Sequence, residues 1–289
     1  MKKIILTLFL LFSILCSTGM ADTISGEISS KIADAIPGDG ITEVSVKIKD
    51  EKDDTPDFSI LGVRDLSSRD NSNFFTQFSL GNTDVNNDDR IIGNLGFGYR
   101  TLTPDENFMF GINTFYDREL KNEHERISLG IEAKGSILDI SANKYQKISN
   151  MIIVNGSEEQ VLSGWDANVS TQIPHMPWAL LNVEGYKYKA EKAKKDTRGL
   201  EYSLEMNLTP TIQFDISVDD SLNAGVEDVY AYNLSFIYPP KEKKHTLKAG
   251  LLSENPFEKE SMQKKLKDKV RRNNKPVIEI QGSVIVTSK

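Results

Sequence analysis

The stretch NFMFGINTFYDRELKNEHERISLGIEAKG, Asn107 to Gly135, decides the fold. Phe108, Phe110, Ile112, Thr114 and Tyr116 fall on one face of an extended chain; Met109, Gly111, Asn113, Phe115 and Asp117 fall on the other. After a charged loop, Ile127, Leu129, Ile131 and Ala133 alternate with Ser128, Gly130, Glu132 and Lys134. A period of two marks a β-strand, whose successive side chains point to opposite sides of the sheet. One face is apolar and the other polar and charged, and burying that second face in an ordinary sandwich core would be costly. A sheet with lipid on one side and a water-filled lumen on the other meets both demands.

The same alternation recurs about every twenty residues. Extended segments are predicted over Ile41–Asp50, Asp57–Asp65, Asn73–Asn82, Arg90–Thr101, Asn107–Arg118, Glu125–Lys134, Ser136–Gln146, Ser163–Ile173, Ala179–Lys189, Gly199–Leu208, Thr211–Asp219 and Glu227–Tyr238. Most have the length that a tilted strand needs to cross a bilayer. Their connections alternate between tight turns, such as Gly135–Ser136, Thr209–Pro210 and Pro174–Trp178, and longer polar loops such as KISNMIIVNGSEEQVL, Lys147 to Leu162. Short periplasmic turns and longer surface loops are the habit of outer-membrane barrels. Aromatics near segment ends, among them Tyr99, Trp165, Trp178, Tyr186, Tyr188 and Tyr238, are expected to form interfacial girdles. The fold class expected is all-β, a twelve-stranded antiparallel transmembrane β-barrel of the outer membrane. A soluble sandwich or lipocalin-like barrel is the competing reading, disfavoured by the charge at mid-strand.

Lys2 and Lys3 precede an apolar run from Ile4 to Leu15, followed by Gly19 and Ala21. That is the layout of a secretory signal peptide over residues 1–21, which predicts export by a Sec-type route. The single cysteine, Cys16, lies inside it, so disulfides and thiol chemistry are not expected in the remainder. Residues 22–40 would be a short periplasmic lead, with ISSKIADAI as a candidate amphipathic helix. The barrel would occupy residues 41–239, and residues 240–289 would form a linker and tail. The chain carries a formal net charge of −7, which argues against nucleic-acid binding. Outer-membrane lipid, the barrel-assembly machinery and periplasmic chaperones are the expected partners of a monomeric barrel. An unidentified surface ligand is allowed.

Blocks of sequence carry a family resemblance. NFFTQFSLG, DDRIIGNLGFGYR, GINTFYDREL, RISLGIEA, DISANKY and LSGWD occur in that order between Asn73 and Asp166. Together with the flanking strands, from Ile41 to Pro239, they resemble the β-domain of the intimin/invasin family, the inverse autotransporters. The resemblance implies a twelve-stranded barrel whose chain leaves through its own lumen to carry an adhesive passenger to the surface. DKVRRNNKPVIEIQ, Asp268 to Gln281, resembles the linker that follows the family's barrel. No passenger is expected after Lys289, so the implied activity is export or display of the chain's own C-terminal segment, with adhesion as a related role.

Candidate chemistry is sparse. His124, His175 and His245 are placed in a surface loop, a periplasmic turn and the segment after the barrel, which supports neither a metal cluster nor a catalytic triad. No enzyme activity and no cofactor are expected. DVNNDD, Asp84 to Asp89, begins like a calcium loop but lacks the sixth-position glycine, and a solvated loop is the plainer reading. Asp117, Glu132, Asp166, Glu184, Glu201, Glu205, Asp215 and Asp219 are predicted to face the lumen, with Arg126, Lys134 and Arg100 as partial partners. Such a set requires either water or a salt-bridged plug. The tail KKLKDKVRRNNK, with Lys264, Lys265, Lys267, Lys269, Arg271 and Arg272, has the complementary charge and is the predicted occupant. Two alternatives stand beside it: a small cation-preferring channel, and a surface adhesin acting through the Lys147–Leu162 loop.

Overall fold

A computed structural model describes residues 38–285 apart from 51–54, 86–87, 224–225, 241–244, 260 and 282, together with Lys31 and Ile36. The expected signal peptide and most of ISSKIADAI lie outside the described residues. Strands β1 (Gly40–Lys49), β2 (Asp57–Arg69), β3 (Ser72–Asp84), β4 (Asp89–Leu102), β5 (Met109–Glu119), β6 (Glu125–Lys134) and β7 (Leu138–Lys147) form one run of the wall. After a surface hairpin, β8 (Ile152–Val154) and β9 (Ser157–Val161), the wall resumes with β10 (Gly164–Ile173), β11 (Met176–Tyr188), β12 (Thr197–Asn207), β13 (Ile212–Ser221) and β14 (Val229–Tyr238). Each wall strand pairs antiparallel with its neighbours, and β1 pairs with β14, closing a barrel of twelve strands. A short helix, α1 (Met262–Lys265), and strands β15 (Ile278–Ile280) and β16 (Ser283–Ile285) follow the wall.

The alternation of the opening stretch is the alternation of the wall. Along β5 and β6 the inward positions are buried, whereas Phe110, Ile112, Tyr116, Ile127, Leu129 and Ile131 stand out toward lipid. The expected segment from Asn107 begins two residues later, at Met109, because Asn107 and Phe108 belong to a turn held by Thr103 and Asp105. Turns at 70–71, 103–108, 135–137, 174–175 and 208–211 lie on one rim. Strands β1, β3, β5, β7, β11 and β13 end on the other, ahead of longer connections. We refer to these as the short-turn rim and the long-loop rim.

Three expectations need correction. Tyr186 and Tyr188 are not part of an interfacial girdle: both point inward and cluster with Tyr145 and Leu162. Trp178 is also buried, its indole nitrogen donating to the Leu251 carbonyl at 2.8 Å. Opposite lipid, β2–β6 face the C-terminal segment. Finally, Val85, in the loop read as solvated, is buried with Val161, Ile278 and Ile280; the neighbouring 86–87 lie outside the described residues.

Candidate functional site: a lumen occupied by the C-terminal segment

After β14 the chain follows the short-turn rim. Leu247 packs beside Leu208 and Ile212, and the 253–256 backbone bonds to His175. Met262 and Leu266 then pack on Leu102 and Met109, at the short-turn ends of β4 and β5. From there residues 266–277 rise inside the barrel. An irregular chain in such a place must find donors for its carbonyls and acceptors for its amides. The wall supplies them. Asn73 and Arg100 donate to the Leu266 carbonyl at 3.2 and 3.0 Å, and Arg100 also donates to that of Asp268. Gln77 accepts from the Val270 amide at 2.7 Å. Asn143, Arg126 and Asn94 donate to the carbonyls of Arg271, Asn273 and Asn274.

Apolar packing fixes the middle of this path. Val270 sits among Leu61, Val63, Phe75 and Phe115, all inward-facing. Higher up, Val277 enters the Tyr145, Leu162, Tyr186 and Tyr188 cluster. At the long-loop rim β15 pairs antiparallel with β9 and β16 with β15, giving a four-stranded surface sheet in the order β16–β15–β9–β8. The Glu279 carboxylate, nearly fully buried, accepts the backbone amides of Glu191, Lys192 and Ala193 at 2.9, 2.7 and 3.2 Å. The sheet is tied to the wall through Glu159, which takes both guanidinium nitrogens of Arg90 at 2.6 and 2.9 Å and the His124 ring at 3.1 Å. Burial opposes ionisation of Glu159, but these hydrogen bonds and the Arg90 charge prevail and hold its carboxyl below the usual range.

The charges predicted for the lumen fall into groups. Asp117 faces Arg126 across the β5–β6 register and binds it at 2.7 Å. Arg272 completes the trio at 2.6 Å, and all three side chains are fully buried. The Arg272 guanidinium also lies 4.2 Å over the Phe115 ring, and Arg126 lies 4.3 Å over Tyr145. Glu132 bonds to Arg100 at 2.6 Å and lies 3.4 Å from Lys134. That contact crosses β5 at Gly111, which opposes both Arg100 and Glu132; a Cβ there would meet the Glu132 carboxylate at 2.5 Å. Asp166 is held by Asn143 and the Tyr145 hydroxyl, and Asp219 by the Tyr186 hydroxyl. Asp215 accepts from Gln213 and Asn233, while Glu184 and Glu201 border a cavity beside the segment.

Of the predicted acids, Asp117 and Glu205 bind arginines of the segment: Arg272, and Arg271 through a bidentate pair. Lys265 instead meets Asp139 at 2.7 Å, Lys267 meets Asp65 at 2.7 Å, and Lys269 meets Glu43 at 2.8 Å. Lys275 pairs with Asp57. Lys264 is exposed on α1, at the short-turn rim. Sequence reasoning missed Glu43, Asp57, Asp65 and Asp139 among the acids, and missed Asn73, Gln77, Asn94 and Asn143 as backbone partners. The available signal was period two: all eight sit in or beside wall strands at positions opposite the lipid face. Among the described residues no group of three or more His, Cys, Asp and Glu is placed to hold a metal ion.

Known proteins are similar to this chain in sequence or fold. The Escherichia coli K12 protein YchO is 26% identical over 92% of this chain. The Escherichia coli K12 inverse autotransporter adhesin YeeJ is 26% identical over 74% of it. The chain spans 57% of the first relative's length and 9% of the second's. A solved structure from a study of in-meso crystallization of membrane proteins superposes with a TM-score of 0.65 at 18% identity. It covers 83% of this chain and 99% of that one, a likeness of fold alone. The model of the inverse autotransporter β-domain matches residues 16–274, and the chain belongs to that family of outer-membrane barrels.

Proposed function

We propose that the barrel carries its own C-terminal segment across the outer membrane and presents it at the cell surface, in a role related to attachment. The observation that supports this reading is the path of residues 262–280. They enter at the short-turn rim, cross the lumen with their polar backbone groups bonded to the wall, and pair with β9 at the long-loop rim. In outer-membrane barrels short turns face the periplasm and long loops the exterior, so the segment runs outward. The attachment role draws support from a relative named as an adhesin.

The test is an epitope tag placed after Lys289, probed on intact and on permeabilised cells. Staining of intact cells is the expected result. Staining only after permeabilisation would mean that the segment does not reach the exterior, and the export reading would fail.

A further inference from the structure

The segment does not fill the lumen evenly. A cavity of about 110 Å³ lies between it and β2–β4, and two others meet at the Glu205 side chain of β12. The larger, about 230 Å³, extends from Glu205 toward Lys47, Asp57 and Lys275 near the long-loop rim. The smaller, about 50 Å³, extends from the same Glu205 toward Ser136, Ile137 and Gln172 at the short-turn rim. A cavity needs roughly 10–15 Å³ to hold one water, and polar walls retain it, so both are hydrated.

The two cavities share three bordering residues: Glu205, Lys269 and Arg271. Arg271 donates from both terminal nitrogens to the Glu205 carboxylate, with one contact at 2.9 Å, and so bridges the segment to β12. Lys269 bonds to both oxygens of Glu43 at 2.8 Å and bridges the segment to β1. Water on one side of these struts is thereby separated from water on the other. The Arg271 and Glu205 side chains are 23% and 13% exposed, whereas those of Arg272 and Asp117 are fully buried, although Arg272 also borders the larger cavity. A pair in contact with water is weakly held compared with a dry one.

We infer that the hydrated side of the lumen is a passage for small inorganic ions, closed by the Arg271–Glu205 pair. The charge left standing when one partner is neutralised sets which ions pass, since charged side chains lining a constriction select by sign. With Arg271 neutralised, Glu205 stands near Asp215 and cations pass. With Glu205 neutralised, Arg271 stands against Asp215 while Lys269 stays paired with Glu43, so the charges balance and neither sign is favoured. This passage is independent of the direction in which the segment runs.

The experiment is single-barrel conductance of the full chain in planar bilayers under a potassium chloride gradient. Arg271→Gln and Glu205→Gln are each expected to raise conductance at least tenfold over the unaltered barrel, with a cation-selective reversal potential for Arg271→Gln and one near zero for Glu205→Gln. Exchanging the two residues, Glu205→Arg with Arg271→Glu, is expected to restore the low conductance. Lys264→Gln is the control: it removes a cation of the same segment at an exposed position of α1 and borders neither cavity, so conductance should stay at the unaltered level. Barrels are checked for resistance to unfolding in cold detergent before insertion. If Arg271→Gln fails that check, Glu205→Gln read against the exchanged pair decides alone. Equal cation selectivity in the two variants, no rise in conductance, or an equal rise in Lys264→Gln would each overturn the inference.

Discussion

Arg272 is the best-buried cation of the C-terminal segment, and replacing it with methionine should loosen the segment from the wall. The guanidinium bonds to Asp117 at 2.6 Å and to the Ser128 hydroxyl at 3.2 Å. Removing one partner of a buried ion pair costs about 3–5 kcal/mol. Asp117 would keep Arg126 at 2.7 Å and Asn94 at 2.8 Å, so the lower end of that range applies. Losing the stacking over Phe115 adds about 1 kcal/mol, partly offset by methionine's own contacts with the ring. A net loss of about 3 kcal/mol, at 1.4 kcal/mol per tenfold, raises the undocked fraction roughly a hundredfold. A cysteine introduced at Val270, shielded by Leu61, Val63, Phe75 and Phe115, would report that fraction through its rate of maleimide labelling. Labelling follows the open population when reclosing is faster than the chemistry. Arg272→Met should speed labelling of the Val270→Cys chain about a hundredfold, and Lys264→Met, at an exposed position, should leave it unchanged. A change of less than threefold for Arg272→Met would show that the buried trio does not hold the segment.

Other expectations follow from the same geometry. Gly111→Ala should push Glu132 away from Arg100 and lower stability by about 1–3 kcal/mol, read as an earlier midpoint of thermal unfolding in detergent; an unchanged midpoint would count against the cross-strand contact. Leu129→Lys, at mid-strand on the lipid face, should cost about 2–4 kcal/mol in refolding into lipid bilayers; no cost would place that face elsewhere. The Glu159 carboxyl is held below its ordinary range in the folded chain, so its stabilising contribution is complete above the unfolded value of about 4.3 and is lost as pH falls through the lower folded value. Protease cutting within residues 148–163 should therefore rise only in acid below about pH 4. Glu159→Gln should raise the cutting at neutral pH; identical pH profiles for the two chains would refute the link between Glu159 and the hairpin.

The wall was legible in the sequence because its physics is local. Lipid on one side forces apolar residues at every second position, and β5 and β6 show that period without interruption. The inward face was only partly legible. Phe75, Met109, Phe115, Tyr186 and Tyr188 break no rule of alternation, yet their partners come from residues 262–277, more than seventy positions further along the chain. Tyr186 and Tyr188 share the parity of Glu184, so alternation within β11 already sets them inward; what a strand cannot show is the Val277 on which they pack. The basic tail and acidic lumen were visible as complementary charges, but the individual pairs were not. Lys265 meets Asp139 and Lys269 meets Glu43 because of where the extended segment runs, which depends on tertiary packing. The hairpin β8–β9 was also missed as structure. Its strands are short, and they gain support from pairing with β15, which lies far off in sequence.

The outward run of the segment is tested most directly by two single-cysteine chains, Lys264→Cys near the short-turn rim and Gln281→Cys beyond β15 at the long-loop rim. Each is treated with a membrane-impermeant maleimide on intact cells and again after permeabilisation. The structure and the proposed direction together require that Gln281→Cys label on intact cells and that Lys264→Cys label only after permeabilisation. The reverse pattern, or labelling of both positions only after permeabilisation, would contradict passage of the segment through the lumen to the surface.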